Sequence, residues 1–196
     1  EPAILTTSTS ATSFAEDSLT GINIGTASAT DPEGQTVTFS LSGTGSENFS
    51  VDSSGNISLV NALDYETATS YTLALNASDG VNTTTSELII TVDDVNEAPS
   101  LTNALAASSF AENVSTGTTI ATASASDPES QAITYSLSGT GSGNFAVDSS
   151  GNITLAAGLD YETATSYSLT LSASDGVNTT TNTLAISISD VNEAPS

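Results

Sequence analysis

The chain has 196 residues, 23 of them Asp or Glu, with no Lys, Arg, His or Cys, so its formal net charge is −23. Without cationic side chains it is not expected to bind nucleic acid or anionic lipid, and no apolar run approaches the ~18 residues needed for membrane insertion. Without His, Lys or Cys there is no common base or nucleophile and no soft zinc ligand, so we predict no catalytic residues and no enzymatic activity.

Apolar residues alternate with Ser, Thr, Ala or Asn along most of the first half of the chain, which is typical of half-buried β-strands. Asp, Gly and Asn in segment 52–56 suit a tight hairpin turn between two of these strands. No window shows the 3.6-residue period of an amphipathic helix. The predicted strands lie near residues 5–14, 21–29, 37–41, 49–51, 57–59, 71–77 and 88–92.

The segment 5–100 recurs without a gap as 101–196, and 65 of the 96 aligned positions are identical. The second copy keeps the alternation at Ile133–Leu137, Tyr167–Ala173 and Leu184–Ile188. We therefore predict two domains, 1–98 and 99–196. Each is expected to be all-β, a seven-stranded antiparallel Greek-key β-sandwich.

The two copies divide the acidic residues into two groups. Some acids change freely: Asp17 becomes Asn113, and Glu87 becomes Thr183. Others keep their places in short segments at predicted strand ends and turns, as expected of ligands rather than of solvated surface charges. The retained pairs include Glu16/Glu112, Asp31/Asp127, Glu33/Glu129, Asp64/Asp160, Glu66/Glu162, Asp79/Asp175, Asp94/Asp190 and Glu97/Glu193.

These retained acids suit calcium, which takes six to eight hard oxygen ligands. In an extended chain the carboxylates at i and i+2 point to the same side, so Asp64 with Glu66, and Asp31 with Glu33, could grip one cation. Calcium is therefore the predicted cofactor.

At these segments the sequence resembles cadherin repeats. Leu63-Asp64-Tyr65-Glu66 is similar to the family's Leu-Asp-x-Glu segment, and Asp94-Val95-Asn96-Glu97-Ala98-Pro99 to its Asp-x-Asn-Asp-Asn-x-Pro linker, with one residue fewer before Pro. Glu97 and Glu33 stand where the family usually has Asp. The resemblance implies an immunoglobulin-like sandwich and calcium bound between consecutive repeats.

The resemblance further implies one complete junction and two incomplete terminal sites. The implied junction ligands are Glu16, Asp64, Glu66, Asp94, Asn96, Glu97, Asp127, Glu129 and Asp175. The implied residues of the incomplete sites are Asp31, Glu33 and Asp79 at one end, and Glu112, Asp160, Glu162, Asp190, Asn192 and Glu193 at the other.

The expected function is that of a calcium-stiffened tandem repeat fragment, an adhesion or spacer module of a larger extracellular or cell-surface protein. The alternative is a calcium-dependent carbohydrate-binding module of a secreted protein that acts on polysaccharides. The expected partners are accordingly calcium and either a second copy, through homophilic self-association, or an extracellular polysaccharide. The Ser/Thr/Asn-rich composition resembles bacterial surface and secreted repeats more than animal adhesion receptors.

Overall fold

A computed structural model describes residues 1–9, 13–105 and 109–193. The chain forms two compact units, Glu1–Val95 (unit 1) and Asn96–Ser196 (unit 2). The boundary after Ala98 that the repeat suggests stays a prediction. Among the described residues, no helix is long and apolar enough to cross a membrane.

Both units are built from short strands, which confirms the all-β prediction. The strands of unit 1 are β1 Ile4–Thr9, β2 Ser13–Ala15, β3 Asn23–Thr30, β4 Thr38–Ser42, β5 Phe49–Val51, β6 Asn56–Leu59, β7 Ser70–Ser78 and β8 Thr83–Asp93. Those of unit 2 are β9 Ser100–Leu105, β10 Phe110–Ala111, β11 Thr119–Ser126, β12 Thr134–Ser138, β13 Phe145–Val147, β14 Asn152–Leu155, β15 Ser166–Ser174 and β16 Thr179–Ser189. One 3-10 turn in each unit, Ser46–Asn48 and Ser142–Asn144, precedes the β5 and β13 strands.

Each unit pairs its strands into two four-stranded sheets. In unit 1 the orders are β1-β3-β6-β5 and β2-β8-β7-β4, and in unit 2 they are β9-β11-β14-β13 and β10-β16-β15-β12. The β3–β4 and β6–β7 connections cross from one sheet to the other, as in a Greek-key sandwich.

The first predicted strand, 5–14, differs from the structure. Its residues contribute to two strands in different sheets: β1 pairs antiparallel with β3, whereas β2 pairs parallel with β8. Each described unit therefore has eight strands, one pairing of which is parallel. Residues 10–12 of the predicted strand lie outside the described residues.

The alternating apolar residues form the core of each unit. In β7 and β8 the inward residues Leu73, Leu75, Leu88 and Ile90 are at most 4% exposed. Their neighbours along the strands point outward and include Thr72, Asn76 and Thr91. Because the side-chain period of a strand is two, this alternation fixes which face of each strand is buried.

The β5–β6 hairpin turn depends on its Asp and Gly. Asp52 Oδ1 accepts hydrogen bonds from the backbone N–H groups of Ser54 and Asn56, at 2.8 Å each, and its Oδ2 accepts one from the Asn56 side-chain amide. Donation from Asn56, by its side chain and its backbone, lowers the pKa of Asp52 below its ordinary value. Gly55 has φ +83°, and a Cβ there would lie 2.0 Å from the Ala27 carbonyl oxygen. Asp148 makes the same contacts in unit 2.

Ser130 is the one non-glycine residue with positive φ among the described ranges, at 61°. At the same repeat position unit 1 has Gly34, with φ 77°. A Cβ at Gly34 would meet no heavy atom within 4 Å, so there is room for a side chain. Only the positive φ favours Gly over Ser at this turn.

We predict that Ser130→Gly stabilises unit 2 by about 1 kcal/mol, because Gly adopts the left-handed conformation without the penalty of a Cβ. Gly34→Ser is the mirror variant and should destabilise unit 1 by a similar amount. Denaturant unfolding in chelator, which keeps metal ions out of the comparison, measures both changes. Equal effects of the same sign would show that backbone strain is not what differs between the two turns.

Candidate metal centres

One carboxylate organises the base of unit 1, the pole at which β2 and β8 end. Glu16 is 5% exposed, and its backbone N–H donates to the Asp93 carbonyl at 3.1 Å. Its carboxylate accepts two backbone hydrogen bonds, from Tyr65 N–H at 2.6 Å and from Val95 N–H at 2.8 Å. Glu16 thus ties the loop that follows β6 to the end of β8.

These contacts bring three predicted ligands together. Oxygen atoms of Glu16, Asp64 and Glu66 lie within 4.8 Å of one another. Asp64 and Glu66 are exposed, and Asp64 also caps its own turn through the Thr67 N–H at 2.8 Å. Asp94 follows β8 directly at the same pole. We call Glu16, Asp64, Glu66 and Asp94 the base set of unit 1.

Unit 2 repeats this arrangement around Glu112. Its carboxylate accepts the Tyr161 N–H at 2.6 Å and the Val191 N–H at 2.7 Å, which together lower the pKa of Glu112 although burial opposes them. Burial, followed by the charges of Glu112 and Glu162, raises the pKa of Glu193.

The base acids of unit 2 form two overlapping clusters beside a pocket of about 550 Å³. Glu112 belongs to both clusters, with Asp160 and Glu162 in one and with Asp190 and Glu193 in the other, and in each the oxygens lie within 4.8 Å. Asn192 neighbours Glu193 in sequence and donates its side-chain amide to the Glu193 carbonyl. The predicted residues of this terminal site are therefore gathered at one pole.

The opposite pole of unit 1, its top, contains Asp31 and Asp79. Asp31 Oδ1 accepts the Gln35 N–H at 2.9 Å, whereas its Oδ2 is buried and receives no hydrogen bond. The Asp79 carboxylate accepts the backbone N–H groups of Asn82 and Val81, which lower its pKa despite burial. Glu33 lies 3.0 Å from the α-amino group of Glu1.

The top of unit 2 has the same frame. Asp127 Oδ1 accepts the Gln131 N–H at 2.9 Å, and Asp127 Oδ2 is again buried without a hydrogen bond. Both carboxylate oxygens of Glu129 are buried as well. Glu129 also lies beside Glu97 and Asp127, so three carboxylates converge here.

Asp175 completes this top and contacts the segment that leads into unit 2. Burial alone would raise the pKa of Asp175, but hydrogen bonds from the Asn96 side chain and from the Val177 and Asn178 N–H groups hold it below its ordinary value. The Asn96 Nδ2 to Asp175 Oδ2 distance is 2.8 Å. We call Asn96, Glu97, Asp127, Glu129 and Asp175 the top set of unit 2.

Two side chains at this top were not among the predicted site residues. Gln131 donates its side-chain amide to Asn96 Oδ1, and Asn178 donates its own to the Asn96 carbonyl at 2.8 Å. Both have identical counterparts in the other copy, Gln35 and Asn82. Their retention in both copies could have pointed to a role at the site. It did not distinguish these two amides from the many other retained polar residues.

Comparison with known proteins identifies the family to which these units are similar. A family model described as "Cadherin domain" matches residues 10–93 and 107–189. Mouse "Cadherin-related family member 1" is 34% identical over 200 residues, covering 92% of this chain and 23% of that protein. Human "Cadherin EGF LAG seven-pass G-type receptor 2" is 34% identical over 191 residues, covering 91% of the chain and 6% of that protein. The chain thus spans less than a quarter of these relatives.

Solved structures show the same fold. Human Protocadherin-24 EC1-2 (Form II) superposes with a TM-score of 0.62 at 24% identity, covering 95% of this chain and 99% of that one. Drosophila N-cadherin EC1-4 gives a TM-score of 0.58 at 23% identity, covering 91% and 47%. These likenesses confirm the predicted fold class.

The comparisons also bear on the other expectations. The matched domains are extracellular adhesion modules of cell-surface proteins rather than enzymes, which confirms the predicted location. The relatives named here are animal proteins, so they give no support to a bacterial type of repeat. They give none to carbohydrate binding either.

We predict that Glu16→Gln destabilises unit 1 by about 1–3 kcal/mol, because the new amide group faces a part-buried backbone N–H that loses its acceptor. Denaturant unfolding in chelator measures the change. Asp17→Asn removes one charge from the exposed neighbouring residue and should change the stability little. If the two variants behaved alike, the backbone hydrogen bonds of Glu16 would not be what stabilises this pole.

Proposed function

This chain belongs to the cadherin domain family, and from that premise we propose that it is a calcium-binding tandem repeat of a larger extracellular protein. Calcium held by the base set of unit 1 and the top set of unit 2 would stiffen the pair, which serves as an adhesion or spacer module. The observation that carries the proposal is the burial of carboxylate oxygens on Asp127 and Glu129, with no hydrogen-bond donor at Asp127 Oδ2.

Buried carboxylate oxygens need a proton, a hydrogen-bond donor or a cation, since an unpaired buried charge is costly. The chain has no Lys, Arg or His to supply a cationic side chain. Asp31 Oδ2 in unit 1 is buried in the same way as Asp127 Oδ2, so the feature belongs to the repeat itself. A metal ion from solution would supply the positive charge that these side chains cannot.

The available ligand atoms suit calcium better than other metals. The two sets offer carboxylate and amide oxygens and neither sulfur nor imidazole, which selects hard cations. Glu16 is buried and fixed by two backbone hydrogen bonds, whereas Asp64 and Glu66 lie at exposed positions. This mixture of buried and exposed oxygens fits the flexible coordination of calcium.

The proposed mechanism is electrostatic. The two sets together contain eight carboxylates, which repel one another when no cation is present. Bound calcium would supply the compensating charge, nearly complete if three ions bind as is usual in the family. The carboxylates, with Asn96 and backbone carbonyls, would then hold the end of unit 1 and the start of unit 2 in one geometry.

The two terminal sets are proposed as halves of further sites. The top of unit 1 supplies Asp31, Glu33 and Asp79, and the base of unit 2 supplies the clusters around Glu112. Each would be completed by a neighbouring repeat of the same kind. Repetition of one junction is how a row of domains becomes an extended rod.

We predict that calcium binds with a dissociation constant of roughly 10⁻⁴–10⁻³ M, the range of extracellular modules. Binding should raise the thermal midpoint. The scattering profile should change as calcium is added and become constant once the sites are filled. Asp127→Asn should weaken binding at least tenfold. Calorimetric titration and small-angle scattering, each with calcium and with chelator, measure these effects.

The matched control for this titration is Glu87→Gln, which removes one negative charge from an exposed outward position on β8. Its calcium affinity should equal that of the parent. An equal loss in both variants would mean that calcium responds to total charge rather than to the proposed sites.

We predict that beads coated with the fragment aggregate in calcium and disperse in chelator if this piece itself mediates homophilic adhesion. The expected loss with Asp127→Asn would follow from the loosened junction. Beads that stay dispersed in calcium, from a fragment that binds calcium normally, would favour the spacer role over adhesion.

A further inference from the structure

Asn96, the first residue of unit 2, is held by side chains of that unit on three sides. Its Nδ2 donates to Asp175 Oδ2 at 2.8 Å, and its Oδ1 accepts the side-chain amide of Gln131. Its backbone carbonyl accepts the Asn178 side-chain amide at 2.8 Å. Asn96, the third residue of the linker segment Asp94–Pro99, is therefore fastened to the rest of unit 2 by side-chain hydrogen bonds.

The amide orientations in this network follow from the chemistry of its members. Asp175 can only accept, so Asn96 must turn its NH₂ group towards that carboxylate. The Asn96 oxygen then faces Gln131, which must present its own NH₂ group. Flipping either amide would set oxygen against oxygen or nitrogen against nitrogen.

The top of unit 1 contains the same loop, but the position 96 residues before Asn96 lies outside the sequence. There the Asn82 side-chain amide donates to Asp79 Oδ2 at 3.2 Å. In unit 2 the corresponding oxygen of Asp175 is taken by Asn96, and Asn178 donates to the Asn96 carbonyl instead. Gln35 is exposed at its position in unit 1.

We propose that Gln131 and Asn178 are positioning residues that latch the linker to unit 2 before any cation binds. Asn96 and Glu97 would then already lie beside Asp127, Glu129 and Asp175. The role of the latch in cation binding rests on the proposed function, whereas the latch itself does not.

Asn96 can still act as a calcium ligand, as predicted, while it makes these hydrogen bonds. A carbonyl oxygen has two lone pairs, so Asn96 Oδ1 can accept the Gln131 amide and still face a cation. Holding a ligand in place beforehand reduces the ordering cost of binding. Outer residues that orient metal ligands typically change affinity by about 10–100-fold when removed.

The direct test is nuclear magnetic resonance of the fragment in chelator. In the parent, the ¹⁵N order parameter of the Asn96 side-chain amide should approach the value of about 0.85 typical of rigid groups. In the double variant Gln131→Met with Asn178→Ala it should fall below about 0.6. The matched control is Gln35→Met with Asn82→Ala, which changes the same loop in unit 1 and should leave Asn96 unaffected.

The second readout is calcium affinity by calorimetry. The double variant should bind about tenfold more weakly, and its thermal midpoint in chelator should match that of the control. An Asn96 side chain that is equally ordered in parent and double variant would overturn the latch. A parent that is latched in chelator but binds no calcium would instead contradict the proposed function alone.

Discussion

Uncompensated negative charge is the constraint on which the rest of this structure depends. A chain with a net charge of −23 and no cationic side chain cannot neutralise its acids internally. Among the described strands only β8 carries acidic residues, Glu87 and Asp93, both outward and exposed. The sheets are thus kept nearly free of charge, and the acids are moved to loops and poles, where water or ions can reach them.

Within those loops, backbone N–H groups take the place of missing cations. Glu16, Asp52 and Asp79 each accept at least two of them, so their charge is compensated by the fold. Asp127 Oδ2 is buried without such a donor. A cation from solution would supply there what the fold does not, and calcium is the cation that this oxygen chemistry favours.

Sequence pattern predicted most of the fold, because alternation at period two defines each buried face, as in β7 and β8. It did not predict the division of segment 5–14 between two sheets, since a parallel pairing of two or three residues leaves no periodic signal. For the candidate site, comparison of the two copies identified the acids. It could not show that Gln131 and Asn178 contact Asn96, because a side-chain amide has no sequence context that distinguishes a latch from an ordinary surface residue.

The two copies differ most informatively at exposed positions of a sheet face. On the outward face of one strand, Glu87 and the 53% exposed Ile89 become Thr183 and Ala185. The proposed ligand acids at the poles, and the Asp-Gly-Val-Asn loop that holds Asp79 and Asp175, do not change. Substitutions on a sheet face leave the core and the charge at the poles intact, whereas a changed pole alters the half-site that it presents. The poles are therefore where the repeat can least tolerate change, as expected if each repeat acts through its neighbours.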